Sequence, residues 1–145
     1  MGHMQMAGFA KRITKCMGQK IILLGEDDME VSEMYKIAFE KGGFRVIQAF
    51  NGEEVIKKAK EEAIDIILLD INMPKKDGFD VLKDIAKDET LYITLKNVPI
   101  LMLSNYSNPQ DIEFCMKNGA QDFIIKAEWD PDSIIKRIKR HLKME

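Results

Sequence analysis

Cysteine is nearly missing: Cys16 and Cys115 are the two that 145 residues contain, and they lie far apart. That spacing excludes a disulfide framework, a CxxC redox pair and a thiolate metal site, and leaves reduced, structurally incidental thiols. Long apolar runs are missing too. No stretch approaches the ~20 residues needed to span a bilayer, and no apolar h-region marks a secretory signal. Charge of one sign is not in excess either, with a formal net charge of −2. Such a balance gives no whole-chain attraction to nucleic acid or to an anionic membrane. There is no internal repeat, low-complexity tract or second domain. A cytoplasmic protein touching neither nucleic acid nor membrane is the expectation.

What is present suits one ordinary globular domain. The chain is 46% hydrophobic and 32% charged, with length for a single real core. Ten methionines are many, but they form no periodic stripe and read as flexible core filler. Residues 1–20 stand apart: they hold no acid, carry Lys11, Arg12, Lys15 and Lys20, and include a Gly-His-Met scar at residues 2–4. Phe9, Ile13 and Met17 recur at helical spacing, so a short basic amphipathic helix on a membrane or partner competes there with a frayed terminus, the favoured reading. Residues 1–19 are set aside as an extension or tag, and 20–145 as the domain.

From Lys20 a regular alternation begins. Residues 21–24 are an apolar run, followed by Gly25 and the acids Glu26, Asp27 and Asp28. Val31, Met34, Ile37 and Ala38 recur at spacings of three and four, predicting a helix over 29–41 stopped by Gly42-Gly43. A second strand spans 44–49. Asn51-Gly52 turns into a helix over 53–62, with Val55, Ile56 and Ala59 inward. A third strand spans 64–69 and ends at Asp70. A helix over 79–87 follows, then an irregular connection, 88–97, longer than usual, from which Tyr92, Ile93 and Leu95 fold back onto the body. A fourth strand covers 98–103 and ends at Ser104-Asn105. The fourth helix opens at Asn108-Pro109 and stops before Gly119. A fifth strand over 122–125 ends at Lys126, and Asp130-Pro131 caps a last helix to about Leu142. Five strands alternating with five helices predict an α/β domain, a doubly wound (βα)5 unit with helices on both faces of a parallel sheet.

Four of the strands end in polar groups: Glu26-Asp27-Asp28, Asp70, Ser104-Asn105 and Lys126. Strand ends of a parallel sheet point one way, so neighbouring strands converge these groups on one crevice. Crowded carboxylates repel, so the site holds a cation or keeps a proton. All-oxygen ligands with no His or Cys nearby favour Mg²⁺ or Mn²⁺ over zinc. The set suits phosphoryl transfer to a carboxylate, with Asp70 as nucleophile and Lys126 and Ser104 holding transferred oxygens. Taken singly, Glu26–Asp28 reads as helix capping, Ser104 as a turn and Lys126 as surface. Their joint occurrence at four strand ends is hard to explain as capping.

The segments IILLGEDD, LLDINMPKKDG, ILMLSN and GAQDFIIK, in this order, resemble a receiver domain of two-component response regulators over residues 20–142. The resemblance implies a flavodoxin-like five-stranded sheet in order 2-1-3-4-5, as in chemotaxis receivers. It implies Asp70 as phosphoacceptor, Glu26 and Asp27 as magnesium ligands with Asp28 less certain, and the backbone carbonyl of Asn72 completing the metal site. Ser104 matches the switch hydroxyl, Phe123 the switch aromatic and Lys126 the phosphate-binding lysine. The implied protein is a stand-alone regulator that catalyses its own phosphorylation and dephosphorylation rather than turning over a substrate. Its partners would be a histidine kinase or phosphotransfer protein and an unidentified downstream protein, with the chain a monomer or weak homodimer through the fourth-helix face. Three departures stand out. Ala127 replaces the proline that usually follows the lysine, leaving that loop freer or pinned by Trp129. Asn105 replaces a smaller residue and narrows access to Asp70, and the 88–97 connection is long.

Rival readings are weaker. A phosphate-independent binding module would not need Asp70, Lys126 and the acids intact. A phosphatase with an Asp nucleophile wants a second acid where Asn72 stands, and Glu26–Asp28 would repel a flavin phosphate.

Overall fold

The computed structural model describes residues 18–106 and 108–144. Five strands, β1 (Ile21–Gly25), β2 (Arg45–Ala49), β3 (Ile66–Asp70), β4 (Ile100–Ser104) and β5 (Asp122–Ile125), form one parallel sheet in the order β2-β1-β3-β4-β5. The sequence-based order and architecture hold. Between the strands lie α1 (Met29–Lys41), α2 (Gly52–Glu61), α3 (Gly78–Lys87), the short α4 (Glu89–Thr94), α5 (Pro109–Lys117) and α6 (Pro131–His141).

β1, β3 and β4 are buried at every residue, which is why they read as unbroken apolar runs and not as alternating ones. Period-two geometry still sorts their side chains. Ile21, Leu23, Ile67, Leu69, Ile100 and Met102 pack with α2, α3, α4 and α5, while Ile22, Leu24, Ile66, Leu68, Leu101 and Leu103 pack with α1 and α6. The helices start where the sequence signals them: Asp28, Asn51, Asp77, Asn108 and Asp130 each accept a backbone N–H in the first turn. Gly119, at φ +108°, ends the α5 turn in a conformation that disfavours any Cβ.

Two expectations are corrected, both in the 88–97 connection. The 88–97 connection is not irregular, because Asp88 caps α4 by accepting the Leu91 N–H at 3.0 Å. This makes six α-helices among the described residues, and the helix expected as the fourth is α5. Within the connection Leu91 and Leu95 are buried, whereas Tyr92 and Ile93 are exposed. On α1 the inward face is Ser32, Tyr35 and Phe39, and Met34 and Ile37 are about half exposed. The Ser32 hydroxyl is affordable there because it accepts the Gln48 side-chain amide at 2.9 Å. The amphipathic pattern of Phe9, Ile13 and Met17 lies outside the described residues.

Candidate functional site

At the carboxyl edge of the sheet, β1 and β3 are adjacent, and their ends deliver Glu26 and Asp70 side by side. Both are almost fully buried, at 1% and 4% exposure. Carboxylate oxygens of Glu26, Asp27 and Asp70 all lie within 4.8 Å of one another. From the end of β5, Lys126 reaches across: its Nζ donates to Asp70 Oδ2 at 2.8 Å and also to Glu26 Oε1. Asp27, Asp28, Val31, Asn72 and Asn105 complete an open crevice of about 300 Å³ around these groups.

Local geometry explains each placement. Asp70 closes β3 between β1 and β4, which places its carboxylate at the carboxyl edge of the sheet. The Asn72 N–H donates to Asp70 Oδ1 at 3.3 Å, and Gly78 N–H donates to the Ile71 carbonyl at 2.8 Å. The return of the chain at Gly78 is so close that a Cβ there would sit 2.7 Å from the Asp70 carbonyl oxygen. Asp28 spends its Oδ1 on the Glu30 and Val31 amides, at 3.0 and 3.1 Å, so the capping reading applies to it. Glu26 accepts the N–H of the cap residue Asp28 through Oε2 at 3.3 Å and turns Oε1 to Lys126.

Electrostatics follow from the crowding. Burial, reinforced by Asp70, raises the Glu26 carboxyl above its ordinary value despite the Lys126 hydrogen bond. Burial and the adjoining Glu26 raise Asp27 as well. Burial alone would pull Lys126 down, but its bonds to Asp70 and Glu26 prevail and hold the ammonium charged. An all-oxygen set of three carboxylates this close fits a hard divalent cation such as Mg²⁺ or Mn²⁺.

The remaining candidates are placed differently. Ser104 ends β4, buried, with its Oγ accepting the Tyr106 N–H at 3.1 Å. Phe123 is half-buried on β5 and packs against the α3–α5 side of the core. Asn105 lines the crevice. Lys126, Ala127 and Glu128 form a 3-10 turn, all described peptide bonds are trans, and Trp129 beyond the turn packs into the α1–α6 side of the core. Sequence reasoning missed Asp122, a buried acid at the start of β5. It accepts Arg137 Nη2 at 2.9 Å as well as Nε, and meets His141 Nε2 at 2.9 Å. The only sequence signal was a charged residue inside a strand pattern.

Comparison with known proteins agrees with this fold. The response regulator receiver domain family model matches residues 22–139. The response regulator GtcR of Aneurinibacillus migulanus is 30% identical over 124 residues, 86% of this chain and 48% of the relative. The alkaline phosphatase synthesis transcriptional regulatory protein PhoP of Bacillus subtilis is 32% identical over 86% of this chain and 49% of the relative. The chain thus spans about half the length of these curated relatives. Among solved structures, a CheY-like receiver domain protein from Methanospirillum hungatei JF-1 superposes with a TM-score of 0.76 at 25% identity, covering 86% of this chain and 94% of that one. The chemotaxis response regulator CheY4 of Vibrio cholerae gives 0.75 at 27% identity, covering 85% and 98%. No helix among the described residues is long and apolar enough to cross a membrane. A parallel 2-1-3-4-5 sheet with buried acids and a lysine gathered at its carboxyl edge, matched over residues 22–139, makes the chain a member of the response regulator receiver domain family.

Proposed function

We propose that the protein accepts a phosphoryl group on Asp70 from a phosphohistidine of a histidine kinase or phosphotransfer protein, and that this switches its affinity for a separate downstream protein in the cytoplasm. The observation that carries the reading is the convergence of the Glu26, Asp27 and Asp70 oxygens within 4.8 Å, with the Lys126 ammonium bonded to Asp70 at 2.8 Å. Asp70 attacks phosphorus, the phosphorus–nitrogen bond to the donor imidazole breaks, and an aspartyl phosphate forms. Glu26, Asp27, Asp70 and the backbone carbonyl of Asn72 would hold Mg²⁺, or Mn²⁺, which when bound neutralises charge on the phosphoryl oxygens.

The protein's own groups supply the rest. Lys126 exchanges its bond to Asp70 for one to a phosphoryl oxygen. Ser104 turns its hydroxyl from the Tyr106 N–H toward the same group, and Phe123 moves into the space released. The face made by α5, β5 and α6 then changes shape, which is the coupling to a partner or to a weak homodimer through α5. Couplings of this sort are worth ~1–3 kcal/mol, about 5–150-fold in affinity.

The test is intact mass after incubation with acetyl phosphate, with and without Mg²⁺, beside Asp70→Asn. A single added phosphoryl group that requires both the metal and Asp70 is expected. An adduct of normal yield on Asp70→Asn refutes the nucleophile. No adduct, with beryllofluoride also failing to bind, leaves a phosphorylation-independent binding module as the better reading.

A further inference from the structure

The lysine that reaches Asp70 is carried on a turn that holds almost nothing of its own. The 3-10 turn Lys126–Glu128 has no side-chain cap and no buried residue, and Ala127 offers it only a methyl group. Yet the Lys126 ammonium is set within hydrogen-bond distance of two acids on two other strands. What fixes the turn lies at its far end. Trp129 packs against the same apolar cluster as Ile134, the two occupying the positions before and after the Asp130 cap that form a hydrophobic staple. The Arg137 guanidinium lies 4.8 Å over the Trp129 ring. Arg137 in turn grips Asp122 through both Nε and Nη2, and His141 bonds the same carboxylate.

Asp122 opens the strand that Lys126 follows. The segment from Asp122 to Trp129 is therefore closed into a loop by a cation on α6 that touches both of its ends. Planar Arg is suited to this double task because it forks onto a carboxylate and stacks on an aromatic face at once.

Resting on the phosphoacceptor reading above, we infer that Trp129, clamped through Arg137 to Asp122, is a positioning residue that fixes Lys126 against Asp70 and thereby sets the site's affinity for a phosphoryl-like anion. Lysine carries a flexible stem, and a turn released at its C-terminal end adds backbone freedom to that of the side chain. Loss of supporting contacts around a site typically costs 10–100-fold. The cation site, built from Glu26, Asp27 and Asp70, draws on none of these residues. Lys126 competes with a metal for two of those acids, so loosening it leaves metal affinity unchanged or higher.

The experiment compares wild type, Trp129→Ala, Trp129→Phe and Arg137→Lys in the full chain, measuring beryllofluoride affinity in saturating Mg²⁺ by ¹⁹F NMR and Mg²⁺ affinity alone by calorimetry. Trp129→Ala is expected to weaken beryllofluoride roughly tenfold, Arg137→Lys by about threefold or more, and Trp129→Phe to restore binding to within about threefold of wild type. Mg²⁺ affinity is expected not to fall. Beryllofluoride binding by Trp129→Ala within about twofold of wild type overturns the inference, as does an equal fall in both affinities, which marks general loss of structure. If Trp129→Ala does not fold, Arg137→Lys decides: unaltered anion affinity overturns the inference. Wild type that takes no beryllofluoride overturns the phosphoacceptor reading itself, a separate outcome.

Discussion

Replacing Lys126 with methionine removes the one cation, among the described residues, bonded to both Glu26 and Asp70. The methionine stem fills the same volume, so the change is mainly electrostatic. Side-chain exposure is 13% for Lys126, 1% for Glu26 and 6% for Asp70, so solvent screening is weak. Breaking a buried ion pair from one side costs about 3–5 kcal/mol. Proton uptake sets a ceiling: neutralising a carboxyl of ordinary pKa 4.5 at pH 7.5 costs about 4 kcal/mol. A loss of about 3–4 kcal/mol therefore follows in EDTA, or a melting temperature lower by roughly 10–15 °C for a domain of this size. Magnesium should reverse much of it, since a ligand at 100 times its dissociation constant stabilises by about 2.7 kcal/mol. Wild type should gain less from magnesium, because Lys126 must first give up its bonds. Thermal melts of both proteins in EDTA and across a Mg²⁺ titration measure this. Variant and wild type melting within 2 °C of each other in EDTA, an interval of ~1 kcal/mol or less, would refute the reasoning. So would a gap that magnesium leaves unchanged.

Two further outcomes test other parts of the molecule. Burial pushes Asp122 up, but the hydrogen bonds from Arg137 and His141 outweigh it and hold the carboxyl below its ordinary 3.8. A depressed folded-state value stabilises above the ordinary one and is lost as pH falls through the depressed one. Arg137→Met should thus cost about 2–3 kcal/mol at pH 7, with the gap to wild type narrowing below about pH 4; urea melts between pH 7 and 2.5 that show a constant gap would contradict this. Gly78→Ala places a Cβ 2.7 Å from the Asp70 carbonyl oxygen and 2.9 Å from Ile71 Cα. Backbone must then move, at about 1–3 kcal/mol, and the acetyl phosphate reaction should slow; an unchanged melt and rate would show that the 70–78 return is softer than its contacts imply.

The sheet and most of the acidic crevice were legible because they rest on local signals. β1, β3 and β4 are apolar runs closed by polar residues, and caps such as Asn108 and Asp130 act on amides within three residues. Signals that depend on distant partners were not legible. The apolar spacing on α1 announced the helix but not its buried face: Ser32 is buried there because Gln48, on another element, satisfies its hydroxyl. α4 is six residues long, too short for a helical period to emerge from its sequence. The Asp122–Arg137–His141 cluster joins the start of a strand to the far side of the last helix, and no spacing rule links them.

The crevice also ties this chemistry to the order in which the chain is completed. Its two buried acids come from β1 and β3, but the ammonium that offsets them is 100 residues from Glu26 and 56 from Asp70, beyond the last strand of the sheet. In a chain where β1 pairs with β3 before β5 docks, two like charges lie together without the compensating one. Contacts of such long sequence separation close late and slowly. A truncated or half-formed chain therefore carries repulsion at its centre in place of an acceptor. Docking of β5 brings the ammonium that balances it without a bound cation or an added proton, so the site reaches charge balance from the protein's own groups only once the sheet is complete.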